Sequence, residues 1–182
     1  ITTGGGGMVT TEDPEIARQI KHLSTQAKLP GVAFVHDQIG YNYRLTNLAA
    51  ALGLAQLEQL PAFLLKKREI AERYRVLCRE LGMVFQPELP GTRASCWLAS
   101  LLAPGRRDQL LRDCAAAGIG ARPLWLPLSE QPAYAGRRRW GGDVGRMLSS
   151  DGISVPCSVG LDEQAQNFVC QQLRSGVLER VP

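Results

Sequence analysis

At 182 residues the chain can bury a core of one domain or one and a half, and a composition that is 45% hydrophobic and 21% charged is globular. A net charge of +4, scattered among acids, does not mark a nucleic-acid binder. Five widely spaced cysteines with only two histidines argue against a zinc site or a disulfide framework. The cysteines read instead as small buried hydrophobes in a reducing, cytoplasmic setting. No apolar run reaches the eighteen residues of a membrane span, and the start lacks the basic and apolar regions of a signal peptide, so no membrane is expected as a partner.

Taken in order, Ile1-Thr2-Thr3 precedes Gly4 to Gly7, and Met8-Val9-Thr10-Thr11 follows. β-prone residues on both sides of a glycine loop predict a hairpin. Neither the Gly-Lys-Ser/Thr ending of a phosphate loop nor a strand–turn–helix unit comes next. Thr11-Glu12-Asp13-Pro14 is a helix start, with Ile16, Ile20 and Leu23 on one face, and the helix should end before Pro30-Gly31. Gly31 to Tyr43 has no clean period and reads as a loop. Thr46 or Asn47 caps the next helix, in which Leu48, Ala51, Leu52, Ala55 and Gln59 recur at threes and fours. Pro61 should end or kink it. A further helix then carries Phe63, Leu64, Ile70, Tyr74, Leu77 and Leu81 to a cap at Gly82, with Lys66-Lys67-Arg68-Glu69 mainly on the solvated side.

Beyond Pro90-Gly91, predicted strands at Cys96–Ala103, Ile119–Leu126 (interrupted by Pro123) and Ile153–Val155 alternate with helices. The helices fall at Arg106–Ala117, at Asp143–Leu148 and from Asp162 through Leu173. That order predicts an α/β layer of helices on a sheet, with a domain boundary at Pro61. Arg137-Arg138-Arg139 before Trp140 is an isolated basic cluster, read as a solvated loop, so no nucleic acid is expected as a partner.

Four segments carry a family resemblance: "ITTGGGGM" (Ile1 to Met8), "HDQIGYNYRLTNLAAALGLAQLEQL" (His36 to Leu60), "GIGARPLWLPL" (Gly118 to Leu128) and "GISVPCSVGL" (Gly152 to Leu161). In this order they resemble the nucleotide-sugar aminotransferases of the DegT/DnrJ group. The likeness spans essentially the whole chain but only the C-terminal half of a typical member. It implies the C-terminal part of an aspartate-aminotransferase-like, fold-type I pyridoxal-phosphate transferase. Residues 1–61 would be the remnant of the large cofactor-binding domain and 62–182 the small C-terminal α/β domain.

The resemblance also implies pyridoxal phosphate as cofactor and assigns residues to it. Asn42 matches an asparagine that reaches across a dimer interface to the neighbour's cofactor phosphate, a task that suits a neutral amide donor. Tyr41, Tyr43 and Arg44 flank it in the same intersubunit pocket; the other reading of Asn42 is a simple turn residue. Arg122 and Trp125 fall where the small domain borders the substrate cleft, with ordinary strand-edge packing as the alternative. In the family the Schiff-base lysine immediately precedes the glycine run. No catalytic residue is therefore expected among Lys21, Lys28, Lys66 and Lys67, which lie on amphipathic or solvated helical stretches. Ser129 stands where many relatives carry a histidine. The glycine run and the "SVGL" ending resemble relatives acting on UDP-linked 4-keto-6-deoxy amino sugars. The expectation is the C-terminal portion of such an aminotransferase, inactive as an isolated chain, assembling as a homodimer or with a separately encoded N-terminal half. The alternative is a non-catalytic dimerisation or ligand-binding module of the same descent.

Overall fold

Asp13 starts the first regular element in the computed structural model of the chain, which describes residues 1–31 and 33–178. Its carboxylate accepts from the amides of Glu15 (2.8 Å) and Ile16 (3.2 Å), capping α1 (Pro14–Ser24). The helix stops at Ser24, well short of Pro30, because Gln26 and Ala27 take left-handed backbone, with φ of 70° and 51°. The amide of Ala27 then turns back to the carbonyl of His22 at 2.8 Å. Residues 1–61 form one compact unit and 62–182 a second.

In the first unit the loop after α1 folds back on the helix end. Tyr41 donates its amide to the Leu23 carbonyl (2.7 Å), Tyr43 to that of Ser24 (2.9 Å), and Gln26 to that of Tyr41 (2.9 Å). Both histidines fasten this loop. His22 Nε2 lies 2.7 Å from the Asp37 carboxylate, and His36 Nδ1 donates to the Gln26 carbonyl at 2.7 Å. Gly40 is the pinch point: a Cβ there would sit 2.5 Å from Ala27 N and from Gln26 C. The hairpin predicted for residues 1–11 does not form, since no strand lies there. A side chain takes the partner strand's place. Thr2 N–H donates to Gln56 Oε1 at 2.9 Å, and Gln56 Nε2 donates back to the Thr2 carbonyl.

Helix α2 (Asn47–Glu80) runs through Pro61 as one helix, so Pro61 does not end it and no second helix starts there. Proline removes one backbone donor, and the alanines, leucines and glutamines on either side favour helix strongly enough to carry it past the gap. The expectation of no membrane-length apolar stretch also needs correction. By length and composition α2 could cross a membrane, with a window of mean hydropathy 1.4, because its leucines and alanines are broken by few charges. The same composition serves a helix that meets other protein surface, and Leu48, Leu52, Leu54 and Leu57 are exposed in the chain by itself.

The second unit is an antiparallel sheet covered by helices. Its strands are β1 (Val84–Phe85), β2 (Ala99–Leu102), β3 (Arg122–Pro123) and β4 (Gly152–Val155), in spatial order β1-β2-β4-β3. Its helices are the second half of α2 with α3 (Arg107–Ala116), α4 (Asp143–Asp151) and α5 (Glu163–Leu178). All four residues of β4 are buried, and it pairs with β2 on one side (Leu101↔Ile153) and β3 on the other (Arg122↔Ser154). The core gathers Ile70, Tyr74 and Leu77 of α2 with Leu101, Leu110, Ile153 and Leu173. Tyr74 is fully buried; its hydroxyl donates to the Pro156 carbonyl at 2.8 Å, and burial raises its pKa well above the usual range. Gln166, also buried, donates to the Ile70 carbonyl at 2.9 Å, so this core leaves its polar groups paired.

Two predicted strands shrink for local reasons. The one foreseen at Cys96–Ala103 begins only at Ala99, because Cys96 is left-handed with φ 52°. The one at Ile119–Leu126 keeps only Arg122–Pro123, where proline cannot donate to a ladder. Strand β1 went unforeseen, being too short to show a period. Gly82 (φ 64°) ends α2 as expected, with Met83 N–H returning to the Cys78 carbonyl at 2.8 Å. All five cysteines are free. Four are buried and Cys170 is half-buried, and burial pushes the Cys78 thiol up to about 11.

Gly152 shows how tightly the second unit is closed. A Cβ there would lie 2.5 Å from Leu124 Cγ and nearer still to Leu124 Cδ1 and the Leu148 carbonyl oxygen. Its φ of −89° is open to any residue, so the penalty is purely steric. Gly152→Ala should destabilise the unit by roughly 2–4 kcal/mol in urea unfolding. Gly120→Ala, whose Cβ would meet nothing within 4 Å, should stay within about 0.5 kcal/mol. Equal midpoints for the two variants would contradict this packing.

Candidate functional site

The first unit holds a cleft of about 960 Å³ between the glycine run and the Tyr43–Thr46 segment. The two walls meet at Gly6, where a Cβ would sit 2.7 Å from Leu45 Cδ1. At Gly4, Gly5 and Gly7 an added Cβ would touch nothing within 4 Å, so this wall offers bare backbone to the cleft. The opposite wall brings a cation, Arg44. A guanidinium beside side-chain-free glycine backbone offers donors to an anion, in a lining that is otherwise largely apolar (Met8, Val9, Ile20, Leu45, Ala49).

The arm from Tyr41 to Arg44 is extended, so its side chains alternate in direction. Tyr41 and Tyr43 stack on one side, with ring centroids 5.2 Å apart and planes at 14°. On the other, Arg44 Nε donates to Asn42 Oδ1 at 3.1 Å. The structure thus brings Asn42 and Arg44 together, and leaves Tyr41 stacked on Tyr43 on the opposite side. Asn42 does not cap α2, since Thr46 Oγ1 accepts the Ala49 amide at 3.2 Å. With its oxygen held by Arg44, Asn42 keeps an amide NH₂ to donate. It lies outside the lining of the cleft.

Arg122 and Trp125 belong to the second unit. Arg122 is exposed on the edge strand β3, and Trp125, two residues past its end, is stacked on Trp97. Trp97 is the residue that sequence reasoning missed; its one signal was an aromatic near the start of the predicted strand Cys96–Ala103. Not all four lysines keep to the amphipathic or solvated helical stretches expected of them: Lys28 lies past the end of α1, bridged to His36, and on α2 the more engaged of the pair is Lys67. It is half-buried, and its ammonium donates to the Trp97 carbonyl (2.9 Å) and lies 3.6 Å from Cys157 Sγ. Its stem is covered while its charged end finds a carbonyl. The arginine run is engaged within its own loop. Arg139 pairs with Glu130 (2.8 Å) and Asp143 (3.3 Å), and Arg138 lies 3.9 Å over the Trp140 ring.

The donor set of the cleft fits the phosphate of pyridoxal phosphate: glycine amides on one wall and Arg44 on the other. None of Lys21, Lys28, Lys66 and Lys67 lines it, so the cleft has no amine for a covalent bond to that cofactor.

Comparison with known proteins places this arrangement. The profile of the DegT/DnrJ/EryC1/StrS aminotransferase family matches residues 1–174. The chain is 34% identical over 175 residues to the GDP-perosamine synthase of Escherichia coli O157:H7, covering 95% of this chain and 48% of that protein. It is 31% identical over 151 residues to the dTDP-4-dehydro-2,3,6-trideoxy-D-glucose 4-aminotransferase of Saccharopolyspora spinosa, covering 74% of this chain and 39% of that protein. Among solved structures, the aminotransferase TlmJ of Streptoalloteichus hindustanus superposes with a TM-score of 0.88 at 26% identity, over 99% of this chain and 50% of that one. The chain spans about half the length of the curated relatives it matches, and over that half its fold is the fold-type I one of sugar aminotransferases. The chain belongs to the DegT/DnrJ/EryC1/StrS aminotransferase family.

Proposed function

We propose that the chain supplies a phosphate-holding cleft and a substrate-facing layer to a pyridoxal-phosphate-dependent aminotransferase acting on a nucleotide-linked keto sugar of the 4-keto-6-deoxy type. The observation that supports this most is the cleft itself, bare glycine backbone on one side and Arg44 on the other. The relatives' names add the substrate class, one a GDP-perosamine synthase and one acting on a dTDP-linked 4-dehydro sugar. Since their bases differ, the proposal is not tied to uracil.

When bound, the cofactor supplies the electron sink for moving an amino group between donor and sugar. The chain's own residues bind and orient. In this reading the glycine amides and Arg44 hold the phosphate, and the Tyr41–Tyr43 stack stiffens the arm. Asn42, its oxygen fixed by Arg44, turns its NH₂ toward the phosphate held by a neighbouring subunit. Arg122 and Trp125 face the substrate. Residues 1–61 act as part of the large domain and 62–182 as the small one, in the cytoplasm and without nucleic acid or membrane as partner. The amine that bonds the cofactor comes from outside these residues, and the isolated chain is inactive.

One observation favours a second reading, a dimerisation or ligand-binding module. The exposed leucines of α2, with Leu48 at 87% exposure, form an apolar surface of a kind uncommon on lone monomers. Assembly is common to both readings, so light scattering should give a dimer or larger species, formed with a second copy that covers the first half of α2. A monomer at every concentration would contradict it.

The cofactor reading separates from the module reading by chemistry. The chain should bind pyridoxal phosphate reversibly, and Arg44→Met should weaken that binding about tenfold or more by removing a charge-assisted contact. Borohydride treatment followed by peptide mapping should show no single stoichiometrically modified lysine. One fully modified lysine, or Arg44→Met binding as tightly as the parent, would overturn the proposal.

A further inference from the structure

Trp97 and Trp125 form a surface that the cofactor cleft does not explain. Their ring centroids are 6.2 Å apart with planes at 19°, yet each residue is 70% exposed. Indoles buried only against each other leave a broad π face in water, which is the way aromatic side chains are set out to receive a flat partner.

The fold holds this pair in place from beneath. Cys96, just before Trp97, is buried and left-handed, with φ of 52°, a strained conformation for a residue other than glycine. The Trp97 carbonyl accepts from two groups, Lys67 Nζ at 2.9 Å and Cys157 Sγ at 3.4 Å. The half-buried ammonium of Lys67 thus steadies a backbone whose side chain is left in solvent. Trp125 is fastened through its neighbours: Pro123 pairs with Ile153, and the Leu124 amide donates to the Gly152 carbonyl at 3.1 Å. Both indoles therefore leave from segments pinned to the central strand β4. Backbone strain and a partly buried cation spent on holding exposed rings mark a surface made for contact.

We infer that the Trp97–Trp125 pair is the platform on which the base of the nucleotide-linked sugar stacks. The inference rests on the proposed substrate class and adds the residues that read its nucleotide end. The relatives' substrates or products carry GDP and dTDP, which share a flat base on a diphosphate and differ in hydrogen-bonding edge. A stacking platform tolerates that difference, because every base has a π face. Arg122, exposed three residues before Trp125, places a cation on the same edge strand and suits the diphosphate.

The chain has three tryptophans, so Trp140→Phe leaves only the pair to report. In that background dTDP and GDP should quench indole fluorescence saturably, with affinities within about tenfold of each other, whereas inorganic pyrophosphate should not quench. Calorimetry should show nucleotide affinity falling roughly ten- to hundred-fold in Trp97→Leu and Trp125→Leu, and largely kept in Trp125→Phe, which retains a ring. Circular dichroism of these surface variants should match the parent. No saturable quenching up to millimolar nucleotide, or leucine variants that bind like the parent, would overturn the platform. Pyridoxal phosphate binding, followed separately by its visible absorbance, tests the aminotransferase reading. Retained cofactor binding with lost stacking would sink the platform alone, and the reverse would sink the aminotransferase reading alone.

Discussion

Gly40 lies so close to Gln26 and Ala27 that no side chain fits between them, and the arm from Tyr41 to Arg44 takes its position from that contact. The left-handed turn at Gln26–Ala27 ends α1, and Gly40 presses against its backbone. The three amide–carbonyl bonds joining residues 23–26 to 41–43 then hold the arm so that Arg44 reaches the glycine cleft, with Asn42 just outside it. His22 with Asp37 and His36 with Gln26 close the rest of the loop, which uses both histidines structurally. Gly152 has the same role in the second unit, where crowding by Leu124 and Leu148 sets the start of β4, the strand to which both tryptophan-bearing segments are tied.

The two candidate surfaces follow different physics. The cleft sets glycine backbone and one guanidinium among apolar residues, and on the proposed reading it takes a charged group. The tryptophan pair is apolar and flat, and it recognises shape. A substrate with a phosphate-rich middle and a planar end matches the second surface, while the first matches a phosphorylated cofactor. Helix α2 adds a third kind of surface, the leucines Leu48, Leu52, Leu54 and Leu57 that the chain by itself leaves in water.

Much of this was legible in the residues. The Thr11–Pro14 segment, Thr46, Gly82 and Asp162 marked helix ends because capping is a local contest between a side chain and the first or last free backbone groups, although at the first helix the cap is Asp13, one of the residues read as early acids. The arm at Tyr41–Arg44 was legible only through its likeness to a family, since an extended loop has no period to read. What failed were features settled by distant partners. The predicted hairpin lost to Gln56, an amide fifty-four residues away that satisfies Thr2. The second helix predicted after Pro61 lost to the helix-favouring residues around that proline. Lys67 was placed in solvent by its charge, and Trp97 passed unnoticed, because their contact joins α2 to the entrance of β2 across thirty residues. Local chemistry announces an element's ends; it does not announce what a side chain meets across the core.

On the proposed reading the glycine run and Arg44 form a phosphate site for pyridoxal phosphate without a lysine of this chain. Backbone and guanidine ¹H–¹⁵N shifts during titration with pyridoxal phosphate test it directly. Saturable shifts should concentrate at Gly4–Gly7 and at Arg44 Nε–H and be reversed by excess inorganic phosphate. Shifts scattered over Lys21, Lys28, Lys66 and Lys67, with the glycine amides unmoved, would contradict it.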